Sequence, residues 1–315
     1  MDIRYFDPLS RAFSRMKKAL FQPFDLRKWF VVGFTAFLAG LTDCQGGSGG
    51  GRGGRGGRVD WDDVIYFPEH AWEWLVDNPH WFMLIVFGII LIFLFVVLIT
   101  WLSSRGKFMF LDNVVHDRAQ VARPWYEYRA QGNSLFLWNF TVGLLFLAII
   151  VSYLVFCYSL IVGIYEHFWH PSELILPVIL MVLGFIAIIM VGAFVDLLLV
   201  DFVVPIMYRS RIRVLAGWRV FLSLSVPHLL YFVGYGFFMI ALSIIIAVVI
   251  IAGVLLTCCI GLIFLIIPYI SSVVLLPLSY TLRAFSVEFL EQFGTEYHVF
   301  PRPDSGQVGN DLVTG

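Results

Sequence analysis

Two carboxylates stand where carboxylates are expensive. Asp196 and Asp201 fall in GAFVDLLLVDFVVPIMY, an otherwise apolar run that ends in Pro205 and a basic segment. An ionised carboxylate in hydrocarbon usually faces a bundle interior or water and marks an ion or proton path. Their five-residue spacing separates them by about 140° on a helix, so both can border one cavity but not one narrow stripe. Asp196 and Asp201 are therefore the candidate ion or proton site. A plainer reading stands beside it. Asp201 lies roughly 10–12 Å along the helix from Tyr208 and Arg209, near enough to the inner interface to pair with Arg209 or Arg211.

Other residues offer less. Pro227 opens one apolar run, and Pro268 and Pro277 lie inside the next, beside Ser271 and Ser272. Proline frees a carbonyl and bends a helix. Transporters bind ions at such breaks, and a kink serves packing equally well. In EHFWHPSE, His167 and His170 stand three apart with Glu166 and Glu173 beside them. Pro171 ends any helix there and no third histidine follows, although His80 can approach from another loop, so no metal is expected. Cys44, Cys157, Cys258 and Cys259 lack zinc spacing, and the three in apolar runs are expected to pack as small hydrophobes. LAGLTD before Cys44 resembles a lipoprotein cleavage site, but Asp43 occupies a small-residue position, so the segment is expected to stay as an anchor. HExxH, GxSxG, Walker and Rossmann patterns are missing, as is a GxGD carboxylate pair. No catalytic residue and no cofactor are expected.

The elements that must position these residues are read from composition. The chain has 315 residues, 60% hydrophobic and 14% charged, with a mean hydropathy of +0.86 and a net charge of -1. Soluble domains carry about 25% charged residues, so the solvent for much of this chain is expected to be lipid. The expected fold is all-α: a polytopic transmembrane bundle of about six spans with amphipathic interfacial elbow helices. Apolar runs place the spans near 29–42, 80–102, 135–165, 174–208, 227–253 and 260–283. The first is short. It needs Arg27 and Lys28 to snorkel and the bilayer to thin. Residues 1–28 form a basic cytoplasmic helix, 43–78 an outer loop and 286–315 a cytoplasmic tail.

Lysine and arginine orient the spans, because cytoplasmic loops carry them in excess. With the N-terminus inside, the inner segments hold seven, five, four and two, and the outer segments hold three. Those three are Arg52, Arg55 and Arg58 in GGSGGGRGGRGGR. Such repeats bind RNA in other settings. Here the stretch is placed outside, and Asp60, Asp62, Asp63, Glu69, Glu73 and Asp77 follow it. A slack tether is the expectation, with no nucleic-acid partner.

Two segments are expected on the membrane surface. Asp7-Pro8 suits a helix start. Leu9, Phe13, Met16 and Leu20 follow at helical spacing, with Arg11, Arg15, Lys17 and Lys18 on other faces. This basic amphipathic helix is expected either to meet anionic lipid or to pack on the protein's own loops. Trp72 and Trp74 suit the aromatic belt of the outer interface.

RAFS occurs at 11–14 and again at 283–286, each a few residues after Pro-Leu-Ser, and two Trp-containing loops, ARPWYEYRAQGNSLFLW and VLAGWRVFLSLSVPHLLY, are alike. A repeated unit of elbow helix and crossings accounts for this pattern. FSRMKKALFQPFDLRKWFVVGF, DFVVPIMYRSRIRVLAGWRVFLSL and LPLSYTLRAFSVEFLEQFG together resemble multi-pass bacterial membrane proteins related to the membrane domain of glycerophosphodiester phosphodiesterases. The resemblance implies a helical bundle of about six spans in the bacterial inner membrane with no settled activity; no phosphodiesterase domain is read in these residues, so that enzyme's activity is not expected to carry over. Two functions stay open. One is a non-enzymatic scaffold that organises membrane lipid, a membrane-protein partner or its own oligomer. The other is a transporter or channel that uses the aspartates and the proline-broken helices.

Overall fold

The computed structural model describes residues 3–42, 67–167, 175–257 and 260–301. The Arg-Gly-Gly stretch, Cys44, the loop holding His170 and Glu173, Cys258-Cys259 and the polar tail lie outside the described residues, as do the side chains of Glu166 and His167. Every regular element described is helical, and no strand occurs among the described residues.

In chain order the helices are α1 (Phe6–Phe21), α2 (Leu26–Ala39), α3 (Phe67–Asp77), α4 (Pro79–His116), α5 (Ala122–Glu127), α6 (Arg129–His167) and α7 (Ile175–Leu198). One π-helical turn (Leu199–Val203) joins α7 to α8 (Val204–Ser210). Then come α9 (Val214–Ser225), α10 (Leu229–Leu256), α11 (Ile260–Ile266), α12 (Pro268–Val274) and α13 (Leu276–Leu290), with two short 3-10 turns behind.

Four helices are long and apolar enough to cross a membrane: Pro79–His116, Arg129–Ile164, Ile175–Ser210 and Leu229–Leu256. A fifth arises if Pro268–Val274 and Leu276–Phe293, bent by 66°, count as one broken span. The remaining apolar stretches carry shorter elements. Helix α2 has 14 residues, about 21 Å of rise. The run 260–283 is cut at Ile267 and Leu275, each just before a helix with proline in its first turn. Ile267 is extended (φ -83°, ψ 110°), the conformation that a following proline imposes.

The chain divides into two compact units. One comprises Gly47–Thr100 and Phe140–Ala193. Its helices touch through small residues and rings. Gly184 leaves room for the Tyr153 hydroxyl, which donates to Met181 O at 2.8 Å. Gly192 likewise admits the Phe146 ring, and Phe93 meets Phe140 at 6.2 Å. Most of its large apolar side chains are exposed, as expected of helices solvated by lipid rather than by protein.

The other unit comprises Met1–Gly46, Trp101–Asn139 and Phe194–Gly315. It holds the packed core. Helix α4 is exposed along its apolar first part but buried from Ser103 to Val115, Arg105 excepted. Phe202, Phe221, Phe232, Tyr235, Phe285, Phe289 and Phe293 interlock, all 5% exposed or less. Centroid separations such as 4.8 Å for Phe202–Tyr235 and 5.0 Å for Phe232–Phe293 are ordinary for ring pairs. Gly106 lets α2 lie directly on α4, since a Cβ there would stand 2.6 Å from Ala39 N. Ser103 Oγ donates to Ala39 O and Asn113 Nδ2 to Thr35 Oγ1 across the same contact.

Helix α1 starts at Phe6 without a side-chain cap, and Asp7 sits inside its first turn, paired with Arg4 at 3.3 Å. There its charge favours the positive end of the helix. The last carbonyls of α1 are closed by the next segment: Lys28 Nζ donates to Ala19 O and Trp29 Nε1 to Leu20 O. Lys28, expected to reach lipid headgroups, instead caps a helix and pairs with Asp117.

Candidate functional site

The site starts with a proline. Pro205 cannot donate a backbone hydrogen bond, and the helix widens just before it. Val204 N–H reaches back five residues to Leu199 O, so it bypasses Val200 O. A buried carbonyl without a donor costs about 1–3 kcal/mol. Arg283 of α13 supplies the donor, with Nη1 at 2.8 Å from Val200 O. The same nitrogen lies 3.8 Å from Asp201 Oδ1. From α10, the Tyr235 hydroxyl donates to Asp201 Oδ2 at 3.0 Å. Asp201 and Arg283 are largely buried, with side chains 13% and 9% exposed. The Arg283 Nε is buried without a hydrogen-bond partner among the described residues.

Of the two candidate aspartates, then, Asp201 sits in a buried site whose partners are Arg283 and Tyr235. Arg209 is exposed, and Arg211 turns to Glu127. Asp196 is exposed on α7. The partners of Asp201, Tyr235 and Arg283, come from helices 34 and 82 residues further along the chain. The readable signal for Arg283 is its place at the far end of a stretch, begun after Arg219, that holds no Lys, Arg, Asp or Glu.

A second polar cluster joins α4, α5 and α8. Asp112 and His116, one turn apart, both meet the Tyr208 hydroxyl, at 2.7 Å from Asp112 Oδ1 and 3.1 Å from His116 Nδ1. Tyr128 stacks on Tyr208 at 4.7 Å, and the Arg211 guanidinium covers Tyr128 at 4.4 Å. Arg211 adopts a left-handed backbone (φ 56°) at the end of α8, a costly conformation for a side-chain-bearing residue. Its ion pair with Glu127 holds it there. That pair keeps the Glu127 carboxyl below its ordinary pKa and raises the Arg211 guanidinium, while burial raises Tyr128.

The third cluster fastens α1. Glu288 of α13 is only 4% exposed and accepts from both Arg11 and Arg15. Arg15 also covers the Phe300 ring at 3.9 Å. Of the four cations expected to meet lipid or the protein's own loops, Arg11 and Arg15 thus contact protein, whereas Lys17 and Lys18 are exposed. Trp72 and Trp74 on α3 are exposed at 62% and 51%. Beside α1 runs a groove of about 590 Å³, lined by α1, α10 and α13. Among the described residues no three His, Cys, Asp or Glu side chains group around a common point. His80 is exposed, Cys157 is buried as a free thiol, and the His167/His170 pair lies outside the described side chains.

These features define an all-helical protein whose long apolar helices suit insertion into a membrane and whose buried charges meet partners from its own chain. The chain belongs to a family of unknown function, DUF7544, whose model matches residues 4–298. No curated protein and no solved structure matches it.

Proposed function

We propose that the protein is a multi-pass integral membrane protein of the bacterial inner membrane with both chain ends in the cytosol. It acts as a non-enzymatic scaffold that organises lipid, a membrane-protein partner or its own oligomer. We extend the resemblance described above to kinship with the membrane domain of glycerophosphodiester phosphodiesterases. One observation carries the scaffold reading: buried acids and cations answer one another. Asp201 meets Arg283 and Tyr235, Glu288 meets Arg11 and Arg15, and Asp112 meets Tyr208 and His116. Groups engaged in this way hold helices together. The location is supported by the lysines and arginines, all of which, among the described residues, fall in the unit built from Met1–Gly46, Trp101–Asn139 and Phe194–Gly315. No nucleic acid is among the proposed partners.

A transporter is the second reading. The π-helical turn, the buried Arg283 Nε and the 66° break are features that functional helices share. Flux in proteoliposomes separates the two. Purified protein under imposed proton, sodium and potassium gradients is expected to carry no current above protein-free vesicles, and Asp196→Asn is expected to change nothing. Gradient-driven flux that Asp196→Asn abolishes would replace the scaffold with a transporter.

A further inference from the structure

We propose that the groove between α1, α10 and α13 holds one hydrocarbon chain of an anionic membrane lipid, with Lys17 receiving the headgroup. This deepens the scaffold reading and rests on its membrane placement.

The walls of the groove define what fits. Leu9, Phe13, Leu242, Ile246, Leu278 and Leu282 line it, and no charged side chain does. Of its two hydroxyl residues, Thr281 donates to Pro277 O at 2.7 Å, so that group is spent on its own helix. A polar ligand would lose its hydration there without recompense, whereas a hydrocarbon chain would not. At about 590 Å³ the space is within the usual range for small-ligand sites, about 300–1,000 Å³. Leu242 and Ile246 belong to the apolar helix Leu229–Leu256, one of those able to cross a membrane. The groove is therefore bordered by a surface that lipid chains bathe.

Charge chooses the class of lipid. Phe6, Ser10 and Phe13 line the groove along one stripe of α1, and at about 100° per residue that stripe continues to Lys17. Arg11 and Arg15 are engaged by Glu288. Lys17 and Lys18 are exposed, and neither forms an ion pair among the described residues. The cation at the end of the apolar stripe matches an anionic headgroup above a chain. A helix from a partner or a second copy would satisfy the apolar walls but has no use for this lysine.

The test uses the full chain in vesicles of phosphatidylcholine doped with phosphatidylglycerol or phosphatidylcholine carrying a photoreactive acyl chain. Peptide mapping is expected to find adducts concentrated at Leu242, Ile246, Leu278 and Leu282 relative to exposed α4 residues such as Leu91 and Phe95. Lys17→Gln is expected to lower the preference for phosphatidylglycerol about fivefold without removing the adducts. Thr281→Trp, filling the groove, is expected to abolish them for both lipids. Should that variant misfold, the wild-type map still decides. Adducts spread evenly over the apolar helices, protein cross-links in place of lipid, or an unchanged headgroup preference in Lys17→Gln would overturn the proposal while leaving the membrane reading intact. A chain that gathers no adducts on any long helix would overturn both.

Discussion

Arg283 is where several requirements meet in a single side chain. It answers the carbonyl that the widened turn bypasses, and it stands beside the carboxylate one residue on. Removing one member of a buried charged pair typically costs about 3–5 kcal/mol, because the other charge stays buried alone. Arg283→Leu is therefore expected to lower the melting temperature of the purified protein sharply. Asp201→Asn, which keeps the Tyr235 contact, should cost less. The double variant should recover part of the loss in a mutant cycle; strict additivity would mean that the two side chains do not interact. Glu127 makes a gentler prediction. Its carboxyl is held below its ordinary pKa by Arg211, so the pair contributes above the unfolded carboxylate pKa and is lost as pH falls through the depressed folded value. Both groups are partly exposed, so the contribution is below about 1 kcal/mol. The melting-temperature gap between wild type and Glu127→Gln should be present at pH 7 and close at acidic pH. A gap that widens on acidification would reverse the sign. Asp201 and Pro205 were legible in the sequence as a charge in an apolar run and a nearby helix breaker. The pairing was not, because 83 residues separate Val200 from Arg283, and no local pattern reports a contact made by folding. Arg209 and Arg211 were nearer in sequence but lie beyond the turn, where one is exposed and the other meets α5.

At the scale of elements, hydrophobic runs and breakers located most helices, since length and apolarity are properties of a segment by itself. The short α2 is the instructive case. Its sequence reads as a weak crossing, while its packing depends on Gly106 of α4, 67 residues beyond Ala39. Val32, Gly33, Thr35, Ala36, Leu38 and Ala39 are all buried. The obstacle to a side chain at Gly106 is backbone, Ala39 N and Leu38 C both at 2.6 Å, and backbone cannot rotate away. Gly106→Ala is expected to push α2 off α4 and cost about 1–3 kcal/mol, despite the better helix propensity of alanine. Thermal unfolding in detergent measures it, and an unchanged or raised melting temperature would mean the two helices are not held in this contact. The repeated RAFS segments have a structural counterpart: α1 and α13, which carry them, pack together. Their arginines serve different acids, Glu288 for Arg11 and Asp201 for Arg283. The four-residue identity suggested a repeated unit; it said nothing of this packing or of the partners of the two arginines.

For the molecule as a whole, the proposed orientation rests on the distribution of charge. Basic residues crowd segments that the apolar runs assign to one side of a membrane, and in the proposed orientation a crossing by the short first run sets the sides of every later loop. Membrane insertion follows this bias in lysine and arginine rather than net charge, and a net charge of -1 conceals it. Cysteine accessibility measures it directly. In a background with Cys44, Cys157, Cys258 and Cys259 replaced, single cysteines are placed at Ser14, Ser48 and Ser210, and intact cells are treated with a membrane-impermeant maleimide. With both chain ends in the cytosol, the Ser48 position is expected to be labelled on intact cells and the Ser14 and Ser210 positions to react only after permeabilisation. Labelling of Ser14 or Ser210 on intact cells, with Ser48 protected, would contradict that orientation.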